Sequence, residues 1–395
     1  MKYTAKNIPL WQITTWDKHF NNVDRSWQPR TIKYNYLLSD ELNAIKVDDG
    51  DVRILYTGKD VGCTTEELAG DNLCEGEIVS IPWGGIPTVK YYKGKFVTGD
   101  NRIATSNDTS ILTNKYLYYY MQGKIKEIAS YYRGASLKHP SMKDVLMMTI
   151  SLPILEDQKR VCALFDVLES IIDRRKAEQE YLDKLIKARF VEMFGDPGTP
   201  GQRYPTDKLG NVATVQSSHR VFTTEFVEKG IPFFRGTEIG VLAEGGIPKD
   251  PFYITEKKYK ELASDESKPM VGDLLMPSIC NKGQVWMVDT ENPFYYKDGR
   301  VLCISPNRDI FDSKYLQFYM KLRTEIEYPK LGSGSTFAEF KIFQLKELEV
   351  DLPPKYMQER FKNFIMQVDK SKAAVQKSLD ETQLLFDSLM QKFFG

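Results

Sequence analysis

Basic and aromatic side chains alternate in a short stretch near residue 90 of this 395-residue sequence. Cations contact phosphates and flat rings pack against groove edges, so the stretch is a candidate nucleic-acid contact. An exposed hairpin with inward-facing tyrosines and solvated lysines explains the pattern equally well. Trp83, followed by two glycines, fits either a backbone that approaches a groove or a turn closed by a core ring. The candidate contacts here are Trp83, Lys90, Tyr92, Lys93, Lys95 and Arg102.

A second set of side chains that can discriminate bases lies between residues 217 and 300. Arginine can recognise guanine, and asparagine or glutamine can recognise adenine, through paired hydrogen bonds to base edges. The alternative is that these are ordinary polar loop residues, which is the commonest role for such sequences. The candidates are Ser217, Ser218, Arg220, Arg235, Asn281, Lys282, Gln284 and Arg300.

Motifs for catalysis are weak. Asn292-Pro293-Phe294-Tyr295 is similar to the Asn-Pro-Pro-aromatic motif of amino-methyltransferases, but its second proline is missing and no Gly-x-Gly loop accompanies it. Glu256-Lys257-Lys258 contains the Glu-x-Lys half of a nuclease metal site without a fitting partner acid. No Gly-x-Ser-x-Gly or phosphate-cradling lysine motif is present. We therefore predict no catalytic residues, and a self-contained DNA methyltransferase or nuclease is the less favoured reading.

Cysteine content and charge restrict the class of protein further. The five cysteines are scattered without a Cys-x-x-Cys pair, which argues against disulfides and a zinc site and favours a reducing cytoplasm. Lys plus Arg and Asp plus Glu both number 54, so any basic surface must be local. No apolar run approaches the roughly 20 residues that span a bilayer, so we expect no membrane anchor.

Two long helical stretches 200 residues apart repeat one pattern without a gap, from Leu152-Pro153 to Phe194-Gly195 and from Leu352-Pro353 to Phe394-Gly395. Their apolar residues fall at alternating three- and four-residue steps, which predicts that the two helices pair as a coiled coil. Lys372 and Thr382 interrupt the second stripe and could fix its register. The predicted seam comprises Val161, Phe165, Leu168, Ile172, Leu182, Ile186, Phe361, Ile365, Val368, Val375, Leu379, Phe386 and Leu389.

The repeat continues upstream of each helix and then fades. Tyr116-Leu117 matches Tyr315-Leu316, and Gly134-Ala135-Ser136 matches Gly334-Ser335-Thr336. Short β-rich runs with turn signals precede each helix, whereas Asn114 to Ala129 predicts a helix. Pro153 is expected in the first turn of the first long helix, where proline is tolerated. A duplicated frame with two diverged globular parts suggests that each part recognises something different.

These motifs together resemble the specificity subunits of type I restriction-modification enzymes. The resemblance rests on the helix starts Leu152-Pro153 with Gln158 and Arg160 and Leu352-Pro353 with Gln358 and Arg360, and on the exit Met193-Phe194-Gly195-Asp196-Pro197. It covers essentially the whole chain. One departure is Ile154, which replaces the second proline usual at the first helix start, and Arg175, Gln179 and Arg189 make the first seam more polar.

The resemblance implies an α+β fold in which two mostly β target-recognition domains are separated by an antiparallel coiled coil of two long helices, with an internal pseudo-two-fold repeat. The expected segments are a first recognition domain at 1–151, a central helix at 152–195, a second recognition domain at 196–351 and a C-terminal helix at 352–395.

The resemblance also implies a non-catalytic subunit that reads one half of a split DNA sequence with each domain. Implied partners are double-stranded DNA, two methyltransferase subunits and restriction subunits, with S-adenosylmethionine bound by the methyltransferase rather than by this chain. The alternative is a structural adaptor that joins protein partners through its helical pair.

Overall fold

The computed structural model describes residues 3–17, 32–59, 61–263, 267–331 and 338–395, so His19 and Gly334 to Thr336 lie outside the described residues. The chain divides into two compact units, residues 1–177 with 376–395, and residues 178–375. Each unit contains a sheet-bearing head and about half of each long helix. We call residues 3–153 the first head and residues 206–351 the second head.

The first unit alternates short strands with short helices before one long helix begins. In chain order its elements are β1 Tyr3–Pro9, α1 Leu10–Ile13, β2 Thr14–Trp16, α2 Ser39–Ala44, β3 Val52–Leu55, β4 Val61–Thr64, α3 Glu66–Ala69, β5 Cys74–Pro82, β6 Lys90–Thr98, β7 Asn101–Ser106, α4 Asn114–Gly123, α5 Ile125–Ser130, β8 Tyr132–Arg133, β9 His139–Pro140, α6 Met142–Met147, β10 Thr149–Pro153 and α7 Leu155–Phe194.

A six-stranded sheet with strand order β2-β7-β5-β6-β3-β4 forms the centre of the first head. Strands β5 and β6 pair antiparallel over seven residues, from Cys74 opposite Phe96 to Ser80 opposite Lys90. Successive side chains of a strand point to opposite faces. Ile78 accordingly packs into one hydrophobic cluster and Val79 into another, so both faces of this strand are covered.

The second unit carries a four-stranded sheet of order β12-β18-β15-β16 and a three-stranded sheet of order β14-β13-β17, besides the strand pair β11-β19. Leu274 and Met276 face the cluster that also contains the long helices, whereas Leu275 faces a separate cluster with Ile239. The elements are β11 Thr206–Lys208, α8 Leu209–Val212, β12 Ala213–Gln216, β13 Ile231–Phe234, α9 Gly236–Ala243, β14 Phe252–Ile254, α10 Glu256–Leu262, β15 Leu274–Pro277, β16 Trp286–Met287, β17 Tyr295–Tyr296, β18 Val301–Pro306, α11 Ser313–Glu327, α12 Ile342–Lys346, β19 Glu349–Asp351 and α13 Lys355–Phe394.

The two long helices, α7 and α13, are each 40 residues long and run antiparallel. In the first unit Phe165 packs on Phe386 with ring centroids 5.2 Å apart, and in the second unit Phe190 packs on Phe361 at 5.4 Å. The first half of each helix therefore contacts the second half of the other. Of the predicted seam, Leu182, Leu379 and Leu389 are half-buried, and the structure buries Val161, Phe165, Leu168, Ile172, Ile186, Phe361, Ile365, Val368, Val375 and Phe386.

Polar residues in the seam differ in what they contact. Gln179 donates from Nε2 to the Lys372 carbonyl oxygen at 3.4 Å, and Lys372 Nζ lies 2.6 Å from the Asp183 carboxylate. Both contacts join α7 to α13 within the second unit. Thr382 instead donates to the Ser378 carbonyl of its own helix at 2.7 Å. Lys372 is thus the better candidate for a register-fixing residue, which stays a prediction.

Two local predictions differ from the structure. Pro153 is the last residue of β10 and α7 begins only at Leu155, because the backbone around Pro153 pairs with β1 before it turns into the helix. The helix expected from Asn114 to Ala129 is two helices, α4 and α5, which meet at Lys124. Gly195 ends α7 with a φ of 93°, a conformation that glycine adopts without strain.

The glutamine of each helix-start motif holds the preceding chain to its long helix. Gln158 is fully buried; its Oε1 accepts from Thr113 N at 3.0 Å, and its Nε2 donates to the carbonyl oxygens of Ile111 at 2.7 Å and Pro153 at 3.0 Å.

Gln358 repeats this set of bonds in the second unit, with Asp312 N at 2.8 Å, Ile310 O at 2.9 Å and Pro353 O at 2.7 Å. The repeated motif therefore has a structural explanation. It satisfies three backbone groups at the same place in both copies.

Replacing Gln158 by alanine should lower the free energy of unfolding by about 2 to 3 kcal/mol, because buried backbone groups are left without a partner. Urea unfolding measures the change. Lys159→Ala is the matched control, since Lys159 is exposed on the next position of the same helix. Equal effects of the two substitutions would contradict this role for Gln158.

Candidate nucleic-acid interface

Strand β6 presents the predicted cations of the first head at different depths. Lys93 is the most exposed, with 70% of its side chain accessible and Glu77 at 3.5 Å. Lys95 pairs with Glu66 at 2.5 Å at the surface, whereas Lys90 Nζ donates inward to the Tyr56 carbonyl. Tyr92 is half-buried and packs edge-on against Phe96 with centroids 6.1 Å apart. Lys93 and Lys95 are therefore better placed than Lys90 to meet a phosphate.

Arg102, also a predicted contact, is largely buried. Its side chain is only 8% exposed, its Nη1 lies 2.8 Å from Asp100 Oδ1, and its guanidinium stands 3.7 Å from the centroid of the Trp83 ring. His139 completes the stack, with its ring 5.0 Å from that of Trp83 and its Nδ1 2.7 Å from the Trp83 carbonyl oxygen. Because its charge is paired and covered by an indole, Arg102 is less accessible to DNA than Lys93, and its role as a DNA contact stays a prediction.

An open cleft of about 730 Å³ lies in the second head. Arg235, Gln284 and Arg300, three residues that the sequence proposed separately, all line it. Arg235 directly precedes α9, Arg300 directly precedes β18, and Gln284 lies between β15 and β16. The other lining residues are Gly236, Thr237, Gly240, Val241, Glu244, Pro277, Ser278, Ile279 and Lys297. The lining combines cations and an amide with apolar side chains, a combination suited to phosphates and base edges.

Each cation on the cleft has a carboxylate beside it. Arg235 lies 2.7 Å from Glu238, Lys297 lies 2.8 Å from Asp298, and Arg300 lies 2.6 Å from Glu339. Burial raises the pKa of Glu238, but the hydrogen bonds from Arg235 outweigh this effect and hold that pKa below its ordinary value. The hydrogen bond from Lys341 is the main reason that the pKa of Glu339 is also lowered. These carboxylates are thus ionised partners of the cleft cations at neutral pH.

The remaining candidates of the second head divide between backbone support and exposed surface. Ser217 Oγ donates to the Val301 carbonyl at 3.0 Å and accepts from Gly299 N at 2.8 Å, and Ser218 Oγ donates to the Tyr296 carbonyl at 2.6 Å. The hydroxyls of both serines therefore hold the chain beside the cleft. Arg220 is exposed beside Asp298 at 3.1 Å, and Asn281 and Lys282 are exposed on the turn before Gln284.

The two heads differ at the residue that follows one strand of each sheet. Strand β5 ends at Pro82 followed by Trp83, and β15 ends at Pro277 followed by Ser278. The Trp83 carbonyl accepts from the His139 ring. The Ser278 carbonyl accepts from the backbone N of Phe340, the residue after Glu339, at 2.7 Å. His139 and Glu339 are 200 positions apart, the period of the repeat. Trp83 thus covers Arg102 in the first head, whereas Ser278 and Arg300 line an open cleft in the second.

Sequence reasoning missed Lys297, Glu339 and Lys341. Glu339 was accessible in principle, because it aligns with His139 at the period of the long helices. No local sequence pattern marks Lys297 or Lys341. Their relevance to the cleft follows only from the ion pairs that they form in the fold, with Asp298 and Glu339.

The residues of the weak catalytic motifs form ion pairs and turns in the structure. Lys258 of the Glu-x-Lys sequence bridges Glu225 at 3.0 Å and Glu261 at 3.3 Å, and Asn292 forms a turn with Thr290. Burial raises the pKa of Cys162 to about 12 and that of Cys280 to about 11, so both thiols stay protonated. Within the described ranges, no group of three or more His, Cys, Asp or Glu is arranged to hold a metal ion. In the same ranges, no helix is long and apolar enough to cross a membrane.

Comparison with known proteins agrees with the geometry of both heads. Residues 37–183 match the family described as type I restriction modification DNA specificity domain. Two specificity subunits of type I restriction enzymes from Methanocaldococcus jannaschii are similar over most of the chain. MjaVIII is 23% identical over 324 residues, 75% of each chain, and the putative MjaX is 22% identical over 336 residues, 78% of this chain and 75% of the relative. The chain is thus similar to the specificity subunits of type I restriction-modification systems.

Two solved structures have a fold similar to that of this chain. The S subunit of a type I system from M. genitalium superposes with a TM-score of 0.56 at 15% identity, over 100% of this chain and 96% of that one. A chain from a type I restriction-modification complex superposes with a TM-score of 0.53 at 18% identity, over 89% and 96% of the two chains. The chain therefore shares with these structures a fold of two sheet-bearing heads and an antiparallel helical pair.

Proposed function

We propose that this chain is the specificity subunit of a type I restriction-modification system. In this proposal it reads a split, asymmetric DNA sequence, one half with each head, while the paired helices set the number of base pairs between the halves. The observation that carries the proposal is the pairing of one repeated helical frame with two heads of different chemistry. The frame repeats down to the hydrogen bonds of Gln158 and Gln358. In the first head Trp83 covers Arg102, whereas in the second head Arg300 lines an open cleft.

The proposed contacts differ between the heads. In the first head we assign phosphate contact to Lys93 and Lys95, with Tyr92 and Lys90 supporting the strand. In the second head we assign base reading to Gln284 and Arg235 on the cleft, and phosphate contact to Arg300 on the cleft and to Arg220 and Lys282 beside it. Asn281 stays a candidate for reading adenine.

Partners follow from the family. We propose that this subunit assembles with two methyltransferase subunits, which bind S-adenosylmethionine, and with restriction subunits, in the cytoplasm. Exposed apolar side chains on the long helices, such as Tyr181 and Leu384, support a protein contact along the helical pair. The adaptor alternative is not favoured, because the matched family is a DNA specificity domain.

The test is selection of bound sequences from random duplexes by the complex of this chain with its methyltransferase subunit. We expect two short motifs separated by a spacer of fixed length. Enrichment of no split motif would overturn the proposal, and mass measurement of the complex gives the number of methyltransferase subunits.

Insertion of seven residues after Ala177 in α7, with seven after Val375 in α13, should lengthen the selected spacer. One heptad keeps the seam in phase and adds about 10 Å to each helix, or about three base pairs of B-form DNA. Both half-site sequences should be unchanged. A control insertion of seven residues after Gly58, an exposed loop position, should leave the spacer as it is. Altered half-sites with an unchanged spacer would contradict the prediction.

A further inference from the structure

Glu339 lies at the centre of a small oxyanion site on the rim of the second head's cleft. Its Oε2 accepts from Arg300 Nη1 at 2.6 Å and from Ser278 Oγ at 3.2 Å, and Lys341 Nζ donates to its Oε1. Ser278 is held in turn by the bond from Phe340 N to its carbonyl at 2.7 Å. Two cations and a hydroxyl thus converge on a single carboxylate.

This donor set is also the one that a phosphate takes. Arginine and lysine cations with a hydroxyl donor are the commonest protein contacts to DNA phosphate oxygens. The Glu339 carboxylate therefore stands in for a phosphate, and its negative charge repels a phosphate that approaches while the carboxylate stays in place. The rest of the argument rests on the proposed function of the cleft in reading DNA.

Because the cations are exposed, a DNA phosphate can replace the Glu339 carboxylate as their partner. The side chains of Arg300 and Lys341 are 60% and 54% exposed, and ion pairs at such exposure contribute little to stability. The corresponding arginine of the first head is different, because Arg102 is covered by Trp83 and paired with Asp100. An exchangeable carboxylate at this place is thus a property of the second head.

We propose that Glu339 is a specificity-determining residue: its carboxylate occupies the oxyanion site of Arg300, Lys341 and Ser278, and yields it to a DNA phosphate only on the correct half-site. On random DNA no base contact offsets the separation of Glu339 from its cations, so the site stays closed. On the target, contacts from the cleft hold the head in register and the cations transfer to the phosphate. Glu339 thus weakens binding to random DNA more than binding to the target.

The experiment compares Glu339→Gln with the unsubstituted chain, each assembled with the methyltransferase subunit, on a random duplex and on the duplex obtained by selection. Glutamine keeps the size of the side chain and can still accept from Ser278, but it removes the charge. We expect affinity for random DNA to rise about tenfold at 0.1 M salt, with the slope of log affinity against log salt steeper by about one. The slope on the target should be unchanged, so the ratio of target to random affinity falls.

Glu347→Gln is the matched control, because Glu347 lies at the end of α12 and pairs with Lys208 at the surface, at 2.5 Å. It should change neither slope. Arg300→Gln tests the site independently: it should lower the slope on the target by about one and leave the slope on random DNA unchanged.

Two outcomes separate this inference from the proposed function. If the unsubstituted complex selects a split motif but Glu339→Gln leaves the slope on random DNA unaltered, or weakens its binding, the role of Glu339 is wrong and the proposed function stands. If the unsubstituted complex selects no split motif, the proposed function itself fails. Restoration of the original slope on random DNA in the Arg300→Gln, Glu339→Gln double variant would support the assignment of the freed charge to Arg300.

Discussion

Replacement of Gly240 by tryptophan should lower the affinity of the assembled complex for its target by about a hundredfold, because two or so base contacts worth about 1 to 3 kcal/mol each are lost. Gly240 lines the cleft on α9, and a Cβ built there meets no atom within 4 Å. An indole at this position would enter open space, so it blocks access to Gln284 and Arg300 without displacing the protein.

Sequence selection after the substitution measures the effect on each half of the target separately. The half read by the first head should be retained and the other half should become degenerate. Gly240→Ala is the matched control, since its methyl group occupies the same open position but leaves the cleft accessible. Retention of both half-sites by the tryptophan variant would exclude the cleft as a reading surface.

Phe190→Ala should destabilise the second unit by about 3 to 5 kcal/mol, the usual cost of removing a buried phenylalanine. Phe190 is 1% exposed, and its ring lies 5.0 Å from Phe194, 5.4 Å from Phe361 and 5.9 Å from Tyr319. These rings come from α7, α13 and α11, so one side chain joins both long helices to the head. The loss combines the apolar surface returned to water with a cavity that three helices cannot close.

Urea unfolding, followed by hydrogen exchange of amides in residues 178–375, locates the loss in the second unit. Val191→Ala is the control, because the neighbouring side chain is 39% exposed and lies outside this aromatic cluster. A loss of stability as large for Val191→Ala as for Phe190→Ala would show that helix formation, rather than the aromatic junction, sets the stability.

The helical frame was predictable from the sequence because a long amphipathic repeat reports directly on burial. Phe165 and Phe361 fall at seam positions by spacing alone, and both are fully buried. The starts of the helices were less accessible. Pro153 is tolerated both at the end of a strand and in the first turn of a helix, and only its pairing with β1 decides between them.

The recognition residues were predictable in type but not in availability. Arg235, Gln284 and Arg300 are distant in sequence, and the meeting of α9, β15 and β18 brings them to one cleft. Arg102 has the same local sequence character as Arg300, yet a tryptophan one strand away covers it. Whether an arginine is accessible depends on its neighbours in the fold, which the adjacent residues in the sequence do not specify.

The first unit draws its core from both ends of the chain. Phe386, Met390 and Phe394 pack with Phe165 and Tyr116 in one cluster. Residues 376–395 belong to the first unit, and in the sequence the whole second unit, residues 178–375, separates them from residues 1–177. During synthesis from the N-terminus, the core of the first head therefore stays incomplete until the ribosome has also synthesised the second unit and residues 376–395. Loss of residues 376–395 would leave that early-made head with an open apolar face, whereas the later-made unit keeps all of its own residues.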